Sequence, residues 1–369
     1  MKKIVLACML LGLCISSVYA FPSGSIPYGV GAKYAAMGGA GAAIVDDISC
    51  AYFNPAGILK TGSFGLKIGA GAATEGMNEL IKASSGANDP AKFFSDNFDK
   101  TVNINGGLNT MIGLNISKVG LSVIPITTLV LSKPTAGTIV GSSITASAAY
   151  EAIATLGYGL SFPGLPFASL DLGANIKSVN SIDGSSTVTS ATSSTDQVTT
   201  LSGIGFDIGA KASIDTLAIP LSVALVMKDI GETLKGKTKT ITTTYNPITG
   251  DITNQSETET DAPDHTSPTT LVIGASTKVP GVGLRVALDI DSVSGSGSSY
   301  SVTHLGIEYP LLVMVALRAG VISGGPGGSI SMTTLGAGFD LGLGLNIAMM
   351  IDGKNSKNNS TILDFGFAF

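Results

Sequence analysis

From Ile204 to Ile214 the chain alternates without a break: Ile204, Phe206, Ile208, Ala210, Ala212 and Ile214 on one parity, and Gly205, Asp207, Gly209, Lys211 and Ser213 on the other. Successive side chains of a strand point to opposite faces, so this order predicts a strand with one apolar face and one small or polar face, and it excludes an amphipathic helix. The pattern recurs at Phe64, Leu66, Ile68, Ala70 and Ala72, and at Leu221, Val223, Leu225 and Met227. It also flanks a Pro280-Gly281 turn, with Leu271, Ile273, Ala275, Thr277 and Val279 leading in and Val282, Leu284, Val286, Leu288 and Ile290 leading out. A second hairpin is predicted around Pro163, Gly164 and Pro166.

These tight connections contrast with Ser/Thr-rich stretches from about Asn180 to Thr200 and from about Lys235 to Pro268, which read as long polar loops. Short turns on one rim and long loops on the other are the habit of a transmembrane barrel. The stretch from Glu75 to Lys100 is expected to hold short helices in a further outer loop.

Composition decides what lies outside the apolar face. Charged residues are only 13%, mean hydropathy is +0.41, and 48 residues are glycine, so the chain needs apolar surroundings. Past the first 20 residues, however, it has no apolar run of the ~18 residues that a membrane helix requires. A closed barrel is the remaining spanning solution. A soluble β-sandwich also alternates, but it accounts neither for the glycine excess on the second parity nor for the last strand. That strand carries Thr361, Leu363, Phe365, Phe367 and Phe369 on one face and ends on the aromatic, as in the signal read by the barrel assembly machinery. There is no Trp, so the aromatic girdle is expected to be thin, with Tyr28, Tyr52, Tyr158, Tyr300 and Tyr309 serving in part.

The start of the chain reads as a Sec signal peptide, with Lys2 and Lys3, an apolar run from Ile4 and cleavage after Ala20. Leu11 to Cys14 loosely resembles a lipobox, but Leu13 stands where a small residue is required. Removal of residues 1–20 leaves Cys50 as the only thiol, which excludes an intramolecular disulfide. A net charge of -5 without clustered Lys and Arg gives no footprint for nucleic acid. Gly231 to Thr238 matches a phosphate-loop pattern, yet Thr240 to Pro247 downstream is extended or turn-like where a helix is needed. Two histidines, His265 and His304, provide no metal-ligand spacing. No catalytic residue, metal or cofactor is therefore assigned, and the chain is read as a non-enzyme.

Between the signal and the first strand, Tyr28 to Ile58 is too rich in Gly and Ala for a lipid-facing strand, and its backbone has to be satisfied inside protein. A plug in the lumen meets that need. Gly38, Gly39 and Gly41, the pair Asp46-Asp47, and Asn54-Pro55-Ala56 followed by Gly57 make this segment resemble the N-terminal hatch of the FadL-type outer-membrane transporters. The resemblance implies an all-β, antiparallel transmembrane barrel of about 14 strands (residues 61–369), with a hatch from 21 to 60 that gates through Asp46, Asp47 and Asn54 to Gly57. Asp46 and Asp47 are expected to pair with lumen-facing cations among Lys67, Lys211, Arg285 and Arg318, with Asp207 on the same parity.

The C-terminal half is similar to the PorV branch of that superfamily at Val226 to Gly231, His304 to Tyr309 and Val315 to Gly320. Two functions follow. One is passive outer-membrane transport of small hydrophobic compounds such as long-chain fatty acids; the other is a non-enzymatic barrel that anchors a secreted or surface protein partner. The expected surroundings are outer-membrane lipid.

Overall fold

In the computed structural model the described residues are 30–73, 98–99, 102–161, 168–215, 220–295, 298–340, 342–354 and 359–368. The signal segment, the expected helices of 75–97 and Phe369 lie outside them. Fourteen strands form the wall: β1 (Phe64–Ala73), β2 (Val102–Ile116), β3 (Val119–Lys133), β4 (Ser143–Ser161), β5 (Ala168–Ser190), β6 (Ser193–Ile214), β7 (Leu221–Ile230), β11 (Thr269–Lys278), β12 (Arg285–Gly295), β13 (Ser298–Leu312), β14 (Val315–Gly324), β15 (Ile330–Asp340), β16 (Gly344–Asp352) and β17 (Ser360–Ala368). All neighbours are antiparallel, and β1 pairs with β17 from Gly65↔Ala368 to Ala73↔Ser360, which closes the ring. The chain is thus an all-β closed antiparallel barrel.

The alternation read in the sequence becomes the two faces of this wall. Ile204, Phe206, Ile208 and Ile214 point outward and are exposed, while Asp207, Lys211 and Ser213 point inward and are buried. The same holds for exposed Val223 and Leu225 on β7, and for Leu363 and Phe365 on β17. An outer surface of this kind matches hydrocarbon, and the paired ladders leave no open edge within it. The girdle differs from expectation. Tyr158 and Tyr309 are exposed on the outer face and Tyr150 joins them, but Tyr52 lies in the plug and Tyr300 falls on the inward parity of β13. Tyr28 lies outside the described residues.

The two stretches read as polar loops are largely strand. Asn180–Thr200 belongs to a tall hairpin in which β5 and β6 stay in register up to Val188↔Ser194, with a bulge before the last pair Ser190↔Ser193. The second stretch contains β8 (Thr233–Tyr245), β9 (Ile252–Asp261) and the two-residue β10 (His265–Thr266). β8 pairs with the upper part of β6, and β9 pairs with β8, so β5, β6, β8 and β9 continue as a sheet that rises beyond the ring. The physical reason is the residue type: the recurring β-branched residues, Thr with Val or Ile, favour pleated backbone even where neither face is apolar. Its outer face carries the pairs Lys237–Glu259 (2.7 Å) and Lys239–Glu257 (2.6 Å), exposed charges that set it apart from the apolar band below.

One ladder in the wall is interrupted. β2 and β3 pair from Val102 to Asn109 and again from Ile112 to Ile116, skipping Thr110 and Met111 opposite Pro125 and Ile124. Pro125 has no N–H to donate, so a rung is lost without a change of register.

The outward assignment of Ile208 predicts that Ile208→Lys lowers barrel stability by about 2–4 kcal/mol in a bilayer. Urea unfolding in lipid vesicles, read by heat-modifiable gel migration, checks this; an unchanged midpoint would contradict the assignment.

Candidate functional site

Residues 30–61 run through the middle of the ring as short turns: a helix at Ala32–Ala35, another at Cys50–Phe53 and a 3-10 segment at Pro55–Lys60. None is long enough to stand alone, since helix nucleation is unfavourable in so few residues. They are held by burial. Val30, Tyr34, Met37, Val45, Ile48, Cys50, Phe53 and Ile58 share one apolar core with Met111, Ile124, Ile126, Ala149 and Ile153 of β2, β3 and β4. Asn54 caps the 3-10 segment: its Oδ1 accepts from Ala56 N at 3.0 Å, and its Nδ2 donates to Ala42 O (2.9 Å) and to Ala210 O on the wall (3.3 Å). Pro55 at the first helical position suits its fixed φ.

The wall is contoured to this segment. A Cβ on Gly173 would fall within van der Waals contact of the Pro55 backbone, and one on Gly209 would meet Asn54 Oδ1. Gly306 and Gly320 likewise give way to Met37 and Gly38. Inward polar side chains satisfy the irregular backbone: Thr334 Oγ1 accepts from Gly38 N and donates to Ala36 O, both at 2.9 Å. Asp289 Oδ2 accepts from Ala42 N at 2.8 Å, and Asn175 Nδ2 donates to Ala51 O at 2.8 Å. His304 Nδ1 lies 2.8 Å from Gly38 O, the geometry of an N–H donated to that carbonyl.

Two groups of charges bracket the segment. On the short-turn side, Asp47 meets Lys67 at 2.6 Å, and Lys67 also reaches Asp364 at 3.0 Å. Asp46 pairs instead with Lys33 at 2.6 Å and accepts from the Tyr34 hydroxyl at 2.8 Å. Arg318 and Arg285 are both taken by Glu308, at 2.7 and 3.2 Å, and Lys211 sits opposite Asp171 in the ladder. Lys33, Asp46, Asp47, Lys67, Glu308 and Arg318 line a cavity of about 630 Å³ that reaches the turn at Val313 and Met314. On the long-loop side, Lys177 contacts Asp229 and stands 3.0 Å from Asp207 and 3.5 Å from Glu232.

Sequence reasoning missed Lys33, Lys177, Asp229 and Glu232. Lys177 sits on the inward parity of β5 and was legible there. Asp229 was not, because a bulge between Phe206↔Ile230 and Ile208↔Met227 turns it inward against the alternation, with φ 60°. The phosphate-loop pattern Gly231–Thr238 runs into β8 of an antiparallel sheet and opens no helix. His265 lies in β10, on β8.

No family model matches the chain, and no curated protein does. Solved structures do. The Pseudomonas putida toluene transporter TodX superposes with a TM-score of 0.60 at 11% identity, covering 96% of this chain and 100% of that one. The Ralstonia pickettii toluene transporter TbuX gives 0.57 at 13% identity, covering 92% and 98%. A Pseudomonas aeruginosa FadL homologue gives 0.56 at 10% identity, covering 93% and 99%. The chain has the FadL-type fold. Within that fold the plug, its glycine-lined wall and the two charge groups are features of this chain's own residues.

Two predictions follow from the packing of this FadL-type barrel. Gly173→Val should displace the Pro55 backbone and raise hydrogen exchange across residues 42–58, with barrel yield unchanged; unaltered exchange would show that the close approach is not restrictive. Burial alone would raise the Asp46 carboxyl, but the Lys33 ammonium and the Tyr34 hydroxyl hold it well below the ordinary carboxylate range. A depressed folded pKa contributes stability above the unfolded value of about 4, which is lost as pH falls through the folded value. Exchange protection of residues 42–48, corrected for intrinsic rates, should therefore hold from neutral pH down to about 4 and fall below it. Lys33→Met should flatten that profile.

Proposed function

We propose that the protein is an outer-membrane channel through which small hydrophobic compounds pass between the plug and the apolar side of the lumen. One observation carries the reading. The lumen is two-sided: Met111, Ile124, Ile126, Ala149 and Ile153 of β2–β4 meet the plug's Val45, Ile48 and Ile58 in one continuous apolar seam, while inward-facing charges gather on the strands around it. An apolar compound crossing such a seam exchanges one apolar contact for another and leaves no polar group unpaired. The seam includes Met111 and Ile124, where the β2–β3 ladder is interrupted, so the wall there is held by fewer backbone hydrogen bonds than elsewhere.

The likeness in fold to toluene transporters and to a FadL homologue supports the same reading. Under it, residues 1–20 direct Sec export, residues 21–60 are the hatch, and Phe365, Phe367 and Phe369 address the chain to the assembly machinery. Asp46, Asp47 and Asn54 to Gly57 act as the latch, since they carry the ion pairs and the cap that fix the segment in place.

A second reading is favoured by one feature. The β8–β9 hairpin stands clear of the ring with Ile248 92% exposed at its tip, which suits contact with a secreted or surface protein, as in the PorV-like alternative.

Asn54→Ala removes the cap and the bonds to Ala42 O and Ala210 O, so uptake of a labelled apolar compound by cells expressing the variant should change by about threefold or more, each bond being worth about 1 kcal/mol. Heat-modifiable migration should stay unchanged. Uptake identical to that of the parent chain would count against the channel and in favour of the anchoring reading.

A further inference from the structure

The charges on the two sides of the plug are not alike. On the short-turn side cations are not outnumbered: Lys33, Lys67, Arg285 and Arg318 meet Asp46, Asp47, Glu308 and Asp364, and Lys60 pairs with Asp171, which stands opposite Lys211. On the long-loop side, Lys177 is shared among Asp207, Asp229 and Glu232. Tyr52 of the plug faces the same group: burial pushes its hydroxyl well up, and the carboxylates of Asp291, Glu151 and Asp229 add to the effect. Lys228 lies over the Tyr52 ring, 4.5 Å from its centre. Lys177 and Lys228 thus stand among four acidic groups, Glu151, Asp207, Asp229 and Glu232, while Asp291 has His304 3.6 Å away.

Two details show that the imbalance is built. Glu232 is 1% exposed; its Oε1 accepts from Ser267 at 2.6 Å, but its Oε2 accepts no hydrogen bond among the described residues and stands 3.5 Å from the shared Lys177. Asp229 is placed inward at the bulge by left-handed backbone (φ 60°), which aspartate adopts more readily than most residues, and its N–H donates to Asp207 Oδ1 at 2.9 Å.

We infer that the long-loop side of the lumen selects its compounds by charge, admitting apolar molecules that are neutral or carry an ammonium head and disfavouring those with a carboxylate head. The inference rests on the channel reading. A carboxylate entering here loses water beside an excess of its own charge, and Lys177 is already saturated. An ammonium head finds Glu232 Oε2 as an acceptor. A neutral compound is affected by neither and follows the apolar seam.

The test is competition among octylamine, octanoate and octanol, equimolar at neutral pH, for the detergent-purified full chain, read by native mass spectrometry. A parallel titration uses the double variant Asp229→Asn, Glu232→Gln; asparagine tolerates the left-handed backbone, so the bulge is kept. Octylamine occupancy at least about tenfold above octanoate, with octanol also bound, is expected, and the double variant should bring the two ions within about threefold. Equal occupancy of both ions, or octanoate ahead, in a barrel that binds octanol overturns the charge inference and leaves the channel standing. A barrel that binds none of the three, octanol included, overturns the channel reading and the inference with it. A preference untouched by the double variant overturns the assignment to Asp229 and Glu232.

Discussion

An extended chain that faces hydrocarbon has to pair each backbone N–H and C=O with another strand, because nothing in the lipid accepts or donates. Here that constraint is met by joining β1 to β17, nine rungs from Gly65↔Ala368 to Ala73↔Ser360, so that no edge remains in the ring. Closure also fixes the register: a slip of one residue would turn Ile208 and Ile204 into the lumen and Asp207 and Lys211 into the lipid. The outer apolar face and the inner polar face are therefore not separate features. Both follow from a period of two applied to a sheet without ends.

Closure creates the next requirement, a lumen that inward side chains of the wall do not fill alone. Residues 30–61 fill it with irregular backbone, and irregular backbone carries donors and acceptors that have to be satisfied away from bulk water. Thr334, His304, Asp289 and Asn175 supply partners from the wall, and Asn54 supplies them from within the segment. Such bonds require the plug backbone to come close to the strands. Gly173, Gly209, Gly306 and Gly320 make room for it, and in a strand interior glycine has no packing merit of its own. The excess of glycine on the inward parity is thus the imprint of the plug on the wall.

Much of this was legible in residues alone, and the limits of what was legible are physical. Strand faces were readable because lipid outside and packed protein inside impose opposite demands on alternate residues. Above the apolar band both faces meet water, the contrast vanishes, and Asn180–Thr200 and Lys235–Pro268 read as loops although their β-branched residues make them strands. In the plug, Asp47 with Lys67 follows from parity plus the need of a buried charge for a partner. The partner of Asp46 did not, since Lys33 lies in the same irregular segment, where no period predicts which side chains meet. Asp229 was hidden for the opposite reason: the alternation is sound on both sides of it and broken at that residue by the bulge.

That bulge bears on what the lumen does. A regular β7 would send Asp229 outward, into or near the apolar band, and Lys177 would keep Asp207 and Glu232 as partners. The observed arrangement accepts left-handed backbone at Asp229 in order to add one more carboxylate to a group already short of cations. Stability does not account for this, since a buried ion group gains little from a surplus of one sign and a residue in such a conformation persists only where its surroundings impose it. The short-turn side, where each carboxylate has a cation against it, shows what a purely structural solution looks like in the same molecule. The difference between the two sides of one plug, set against an apolar seam that runs past both, is what a passage needs if it is to discriminate at its entrance and then let go.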